Sequence, residues 1–169
     1  MTHCEIMAQE FELDIAKTRA TLERVPESAW NWRPHDKSFA MGELATHVAN
    51  LVSWTGPTLQ QESFDVAPPG EEPVRTPVCS NREELLALFE RTSSEALAAL
   101  RAATDDELSK PWSLLMGGHV LFTMPKMTVM RHFVLNHLVH HRGQLTVYLR
   151  LNDVPLPALY GPSADEQGM

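Results

Sequence analysis

Four stretches of the chain carry apolar residues three or four positions apart, and breaks rich in proline or glycine separate them. This spacing places the apolar side chains on one face of an α-helix. The first stretch predicts a helix over 2–24, which the capping box of Thr2 and Glu5 opens and Val25-Pro26 ends. The other three stretches predict helices with these approximate bounds: 38–61, 80–103 and 125–151.

The segments between these helices predict the connections of the fold. Residues 62–80 contain four prolines and predict a coil linker, and residues 152–169 predict a coil tail. Residues 112–123 are rich in apolar side chains around Gly117-Gly118, which favours a short hairpin or an irregular crossover. We therefore expect one all-α domain over 1–169, a four-helix bundle with a long crossover connection. The alternative is a globular α-protein with some β-structure around 112–123.

Charge and composition exclude several classes of function. Fourteen Lys and Arg against 22 Asp and Glu give a net charge of −8, which disfavours binding to nucleic acid. No apolar run approaches the roughly 18 residues of a membrane span. The N-terminal sequence lacks the pattern of a signal peptide, and the two cysteines, Cys4 and Cys79, suit free thiols. We expect a cytoplasmic protein.

Histidine is the unusual residue, because five of the eight lie between His119 and His141. His137 and His141 are four positions apart, so their rings lie on one helical face, one turn above the other. That spacing allows two imidazoles to bind one metal ion, although Leu138 replaces the glutamate of the zinc-protease helix. The alternative is a pair of core histidines with ordinary hydrogen bonds.

The second predicted helix offers a third ligand, His47, beside its apolar stripe. Three histidines with a fourth position left for water are the arrangement of a catalytic zinc site. Glu43 lies one turn before His47 and either orients it, accepts a proton or is a solvated helix residue. Gln144, one turn from His141, is a candidate hydrogen-bond partner of a ligand histidine or of a metal-bound water.

Two neighbours of His141 also allow more than one interpretation. Arg142 suits a structural ion pair better than the binding of an anionic substrate. Gly143 costs the helix about 1 kcal/mol relative to alanine, which predicts a close backbone approach, such as helix packing, at that position.

These motifs resemble the DinB/YfiT-like family. The segment Gly42-Glu-Leu-Ala-Thr-His47 and the downstream segment His137-Leu-Val-His-His141-Arg-Gly-Gln144 carry the resemblance, and Trp32-Arg-Pro34 and Tyr160-Gly-Pro162 add to it. The resemblance covers nearly the whole chain, except that residues 112–123 do not align with a known member.

The resemblance implies a four-helix bundle, often dimeric, with a divalent metal, commonly zinc or nickel, on three histidines. These histidines correspond to His47, His137 and His141. Characterised relatives include S-transferases that use low-molecular-weight thiols and an isomerase that acts on a thiol adduct.

Two functions of different classes follow. The first is a metal-dependent transferase or hydrolase, in which a thiol or water attacks a small electrophilic molecule. The alternative is a non-catalytic dimeric stress-response module in which the metal site is structural or vestigial.

Overall fold

The computed structural model describes residues 1–167, and the chain is mostly helical. Within residues 1–167, seven α-helices and three strands follow one another, with two single-turn 3₁₀ segments and one π-helical segment between them. In chain order they are α1 (His3–Leu22), a 3₁₀ turn (Glu27–Ala29), α2 (Met41–Leu51), a 3₁₀ turn (Val52–Trp54), α3 (Thr55–Gln60), β1 (Ser63–Asp65), α4 (Arg82–Ala102), α5 (Asp105–Ser109), β2 (Pro111–Met116), β3 (His119–Pro125), α6 (Lys126–Val129), a π-helical segment (Met130–Leu135) and α7 (Asn136–Arg150).

The long helices enclose the hydrophobic core. Helix α1 packs against α4 and α7, and α2 packs against the same two helices. Their apolar stripes supply the buried side chains, because the residues three and four apart on each helix point to one side. The largest of these include Phe11, Leu44, Phe89 and Leu145.

Helices are present in all four predicted stretches, and side-chain caps open α1 and α4. Thr2 caps α1 in a capping box with Glu5, as predicted. Helix α4 is capped by Asn81, while the neighbouring Ser80 donates to the Glu84 carboxylate.

The predicted second helix, 38–61, is divided into α2, a 3₁₀ turn and α3. Pro57 lies within α3, and proline has no N–H to donate to the carbonyl four residues earlier. That carbonyl belongs to Ser53, which lies in the 3₁₀ turn. The missing bond accounts for the change of helix type at this point.

The prediction of an all-α fold is wrong because a three-stranded sheet is present. Strands β2 and β3 pair antiparallel, so the hairpin interpretation of 112–123 is confirmed, and β1 adds to β2 in parallel. Gly117 and Gly118 form the turn with φ of 63° and 79°, as two-residue hairpins require. The Asp65 carboxylate accepts hydrogen bonds from both glycine N–H groups at 3.1 and 2.7 Å.

Strand β1 also corrects the prediction that residues 62–80 are coil throughout. The rest of this linker follows the surface without a further helix or strand. The predicted coil tail likewise contains neither helix nor strand over 152–167, and its last two residues lie outside the described part. Among residues 1–167, no helix is both long enough and apolar enough to cross a membrane.

The last predicted helix is continuous from α6 to α7, but six of its residues are π-helical. The interpretation of Gly143 is wrong, since a Cβ added there would meet no atom of residues 1–167 within 4 Å. The glycine that packs closely is Gly42, where a Cβ would lie 2.2 Å from the Trp30 indole nitrogen.

Candidate metal centre

Helices α2 and α7 bring the three predicted histidines together. One ring nitrogen each of His47, His137 and His141 lies within 4.8 Å of the others, and all three side chains are half-buried. The His47 ring centroid is 5.3 Å from that of His137 and 4.6 Å from that of His141. The contact between α2 and α7 therefore joins residues that are about 90 positions apart in sequence.

Hydrogen bonds fix the rings of the two α7 histidines. His141 Nδ1 lies 2.6 Å from the Gln144 side-chain oxygen, and His137 Nδ1 lies 3.3 Å from the Phe133 carbonyl oxygen. The Phe133 carbonyl can only accept, so His137 Nδ1 carries the proton, and His141 Nδ1 does the same when the Gln144 oxygen faces it. The Nε2 atom of each neutral ring is then left with a lone pair.

The Nε2 atoms of His137 and His141 are 2.8 Å apart, which is the distance of a hydrogen bond if one of them carries a proton and of two acceptors if neither does. Two acceptors at that distance repel unless a cation or an added proton lies near both. The donor set thus fits a divalent metal: neutral imidazole nitrogens are good ligands for zinc, nickel, copper and iron.

The local environment keeps the imidazoles neutral. Burial, followed by the nearby rings of His141 and His137, lowers the pKa of His47 to about 4. Burial also lowers the pKa of His137 and of His141. All three rings are therefore uncharged at neutral pH, the protonation state that binds metal.

The other predicted residues occupy different places around this cluster. Gln144 hydrogen-bonds to His141, as the sequence analysis expected. The Glu43 carboxylate accepts from the Ala40 backbone N–H at 2.6 Å and lies 3.8 Å from Arg33, so it caps the start of α2. Its role as a proton acceptor stays a prediction.

Arg142 forms the structural ion pair that the sequence favoured. It is 1% exposed and donates to the Asp14 carboxylate at 2.8 Å and to the Thr18 hydroxyl at 2.9 Å. The hydroxyl of Tyr160 bonds to both members of the pair. This network ties α7 to α1 directly beside His141.

Sequence reasoning missed two aromatic residues that contact the cluster. Phe39 stacks on His47 with ring centroids 5.9 Å apart, and Phe133 supplies the carbonyl oxygen for His137. Phe133 belongs to the π-helical segment, which has no recognisable signal in the local sequence. Phe39 lies two residues before the start of α2, and its contact with His47 depends on the path of the chain into that helix.

Cavities open from the cluster in different directions. A polar cavity of about 490 Å³ adjoins His141 and Gln144 and is lined by Arg33, Lys37 and Tyr148 among others. A larger cavity of about 850 Å³ lies between His47 and the linker segment 76–80. An apolar cavity of about 150 Å³, here called the hairpin cavity, lies between the His47–His137 side of the cluster and the β2–β3 hairpin.

The fold and the site together define a mostly helical protein with an open cluster of three histidines held between two helices. The chain belongs to the DinB superfamily, whose profile matches residues 10–145.

Relatives along the whole chain support this assignment. The chain is 24% identical over 161 residues to YrdA of Bacillus subtilis (strain 168), a match that covers 93% of this chain and 86% of YrdA. Two crystal structures have the same fold. A DinB-like protein from Bacillus cereus ATCC 10987 aligns with a TM-score of 0.70 at 21% identity, over 92% of this chain and 97% of that one. The DinB-like protein YjoA from Bacillus subtilis aligns with a TM-score of 0.68 at 15% identity, over 96% of this chain and 99% of YjoA.

Proposed function

We propose that this protein is a metal-dependent enzyme of the DinB superfamily that acts on a small molecule. His47, His137 and His141 hold one divalent metal, zinc or nickel, in an open three-histidine site. The observation that carries the proposal is the convergence of one ring nitrogen from each of the three histidines to within 4.8 Å of one another. Ordinary core histidines would direct such atoms at hydrogen-bond donors.

A bound divalent metal lowers the pKa of a coordinated thiol or water and so supplies a nucleophile at neutral pH. The protein side chains would prepare the site for this chemistry. Gln144 holds the His141 ring in the tautomer that presents Nε2, and the Phe133 carbonyl does the same for His137. Phe39 covers one face of His47 and limits its access to water.

The polar cavity beside His141 suits a hydrophilic co-substrate such as a low-molecular-weight thiol. Charged and hydroxyl side chains line it, including Arg33, Lys37 and Ser38. We propose S-transfer from such a thiol as the reaction, with hydrolysis by water as the other use of the same site.

The proposed architecture is the four-helix bundle of this family. Its four members are α1, α2, α4 and the continuous helix that ends in α7, and the linker before α4 makes the crossed connection. The contacts of α1 and α2 with both α4 and α7 support this arrangement. The sheet is then an addition at the end of the bundle near the histidines.

Cobalt substitution tests the proposed thiol chemistry directly. The Co²⁺-loaded protein would be titrated with glutathione, cysteine and N-acetylcysteine while the near-ultraviolet spectrum is recorded. We expect a thiolate-to-cobalt absorption band with at least one thiol, and thiol consumption when an electrophile such as 1-chloro-2,4-dinitrobenzene is added. Protein that binds cobalt but gives neither a thiolate band nor hydrolysis of activated esters would contradict the enzymatic proposal.

One observation favours the alternative, a non-catalytic dimeric binding module. Met116, Val120 and Leu121 on the β2–β3 hairpin are each more than half exposed, and such side chains suit contact with a second copy of the chain. Light scattering after gel filtration would give the mass. A dimer that Leu121→Lys converts to monomer without loss of metal would support a hairpin interface, and a wild-type monomer would contradict it.

A further inference from the structure

The hairpin cavity has two of the three histidines in its wall. His47 and His137 lie on one side, and Trp54, Trp112, Leu114 and Phe122 lie on the others. A molecule in this cavity would therefore contact two of the imidazoles that the proposed metal site uses, whereas the polar cavity adjoins the third, His141.

The wall of the hairpin cavity is almost entirely hydrocarbon. The indole N–H of Trp112 donates to the Pro57 carbonyl oxygen at 3.1 Å, so this polar group is already satisfied. Trp112 itself is 1% exposed. Because a charged or strongly polar group would lose its hydration here without replacement, the cavity selects an uncharged, apolar occupant.

Aromatic contacts hold the hairpin against the helix that carries His137. Phe122 stacks on Phe133 with ring centroids 4.9 Å apart and planes 9° apart. The ring centroids of Trp112 and Phe122 are 6.2 Å apart. The cavity is therefore a preformed space between packed rings. Reorganisation of the cavity on binding would cost little free energy.

The volume of the cavity limits the size of the occupant. An engineered apolar protein cavity of about 150 Å³ binds benzene. The hairpin cavity has a similar volume, about 150 Å³, which suits one six-membered ring better than two fused rings. Filling it also restores the dispersion contacts that the facing side chains lack.

We propose that the hairpin cavity is the subsite for an uncharged, phenyl-sized group of the electrophilic substrate, next to the three histidines. This inference rests on the proposed function, because it assigns one cavity to the electrophile and leaves the polar cavity to the thiol. The hairpin, through Leu114 and Phe122, then determines which electrophiles the protein accepts.

Fluorobenzene binding to the metal-free protein tests the subsite without any need for activity. Fluorine NMR would follow the ligand signal as protein is added, and 1-fluoronaphthalene would serve as the oversized probe. Leu114→Trp fills the cavity, whereas Leu121→Trp adds the same side chain at an exposed position of the neighbouring strand that does not line the cavity. Phe122→Leu enlarges the cavity.

We expect wild type and Leu121→Trp to bind fluorobenzene, Leu114→Trp to bind it at least tenfold more weakly, and Phe122→Leu to gain affinity for 1-fluoronaphthalene. Near-ultraviolet circular dichroism of each variant would show that its tertiary packing is native, because partly folded states also bind naphthalene compounds. Equal binding by all variants, or no binding by folded wild type, would overturn the subsite.

Metal content measured on the same samples separates the two proposals. A wild type that holds one metal per chain but fails to bind fluorobenzene refutes the subsite and leaves the proposed function standing. A wild type that binds fluorobenzene in the cavity but takes up no metal refutes the proposed function, and with it the substrate role of the cavity.

Discussion

The Nε2 atoms of His137 and His141 lie 2.8 Å apart, while the Phe133 carbonyl oxygen and the Gln144 side-chain oxygen lie at the Nδ1 atoms of the same rings. The helix produces this geometry because side chains four residues apart lie one above the other. His47 adds a third neutral ring from α2. The metal hypothesis follows from this relationship, and the next predictions concern the residues that maintain it.

Gln144 should determine how tightly the site binds metal. Its side-chain oxygen accepts the Nδ1 proton of His141 at 2.6 Å, and loss of such a partner costs roughly 10–100-fold in metal affinity. We expect Gln144→Ala to bind the metal roughly 10–100-fold more weakly than wild type. Gln144→Glu should bind it at least as tightly as wild type. Competition with a chromophoric zinc chelator measures both.

Val147→Ala is the matched control for this series, since Val147 lies one turn after Gln144 and is 57% exposed. It should bind zinc as wild type does. A Gln144→Ala protein with unchanged zinc affinity would show that the hydrogen bond does not support the site.

The Asp14–Arg142 pair should contribute strongly to stability. Asp14→Ala leaves a guanidinium buried without its carboxylate, and breaking a buried pair in this way costs about 3–5 kcal/mol. Glu10→Ala is the control, because Glu10 and Arg131 join α1 to the last helix through an exposed pair worth less than about 1 kcal/mol. Urea unfolding gives both values. Equal losses would mean that Arg142 is hydrated or satisfied by other groups.

Two glycine-to-alanine substitutions should change stability in opposite directions. Gly143→Ala should raise the free energy of unfolding by about 0.5–1 kcal/mol, since alanine is the better helix former and the space beside Gly143 is open. Gly42→Ala should lower it by about 1–3 kcal/mol because the new Cβ overlaps the Trp30 ring. Thermal unfolding measures both changes. Destabilisation by Gly143→Ala would indicate a close packing partner at that position in solution.

The helices and the three histidines could be predicted because their signals are local or periodic. The spacing of His137 and His141 fixes a shared helical face before any tertiary contact is known, and His47 follows from the apolar stripe of α2. The buried role of Arg142 was also predictable, since a fully charged side chain beside an apolar stripe needs a partner.

The sheet and the detailed site geometry depend on contacts between distant residues. Strand β1 has only three residues in a proline-rich segment, and it is stabilised by β2 and by the bonds from Asp65 to the hairpin turn. The π-helical segment that includes Phe133 has no local signature. Gly143 shows that low helix propensity alone does not predict close packing, because the space beside it is open.

Metal content is the most direct test of the central claim. Untagged protein purified without chelating resin would be analysed by elemental mass spectrometry, with His137→Ala and the off-cluster control His132→Ala prepared in parallel. The account predicts about one zinc or nickel per chain in wild type and in His132→Ala, and loss of that metal in His137→Ala. Folded wild type that contains no metal and takes up none when zinc or nickel is added would contradict it.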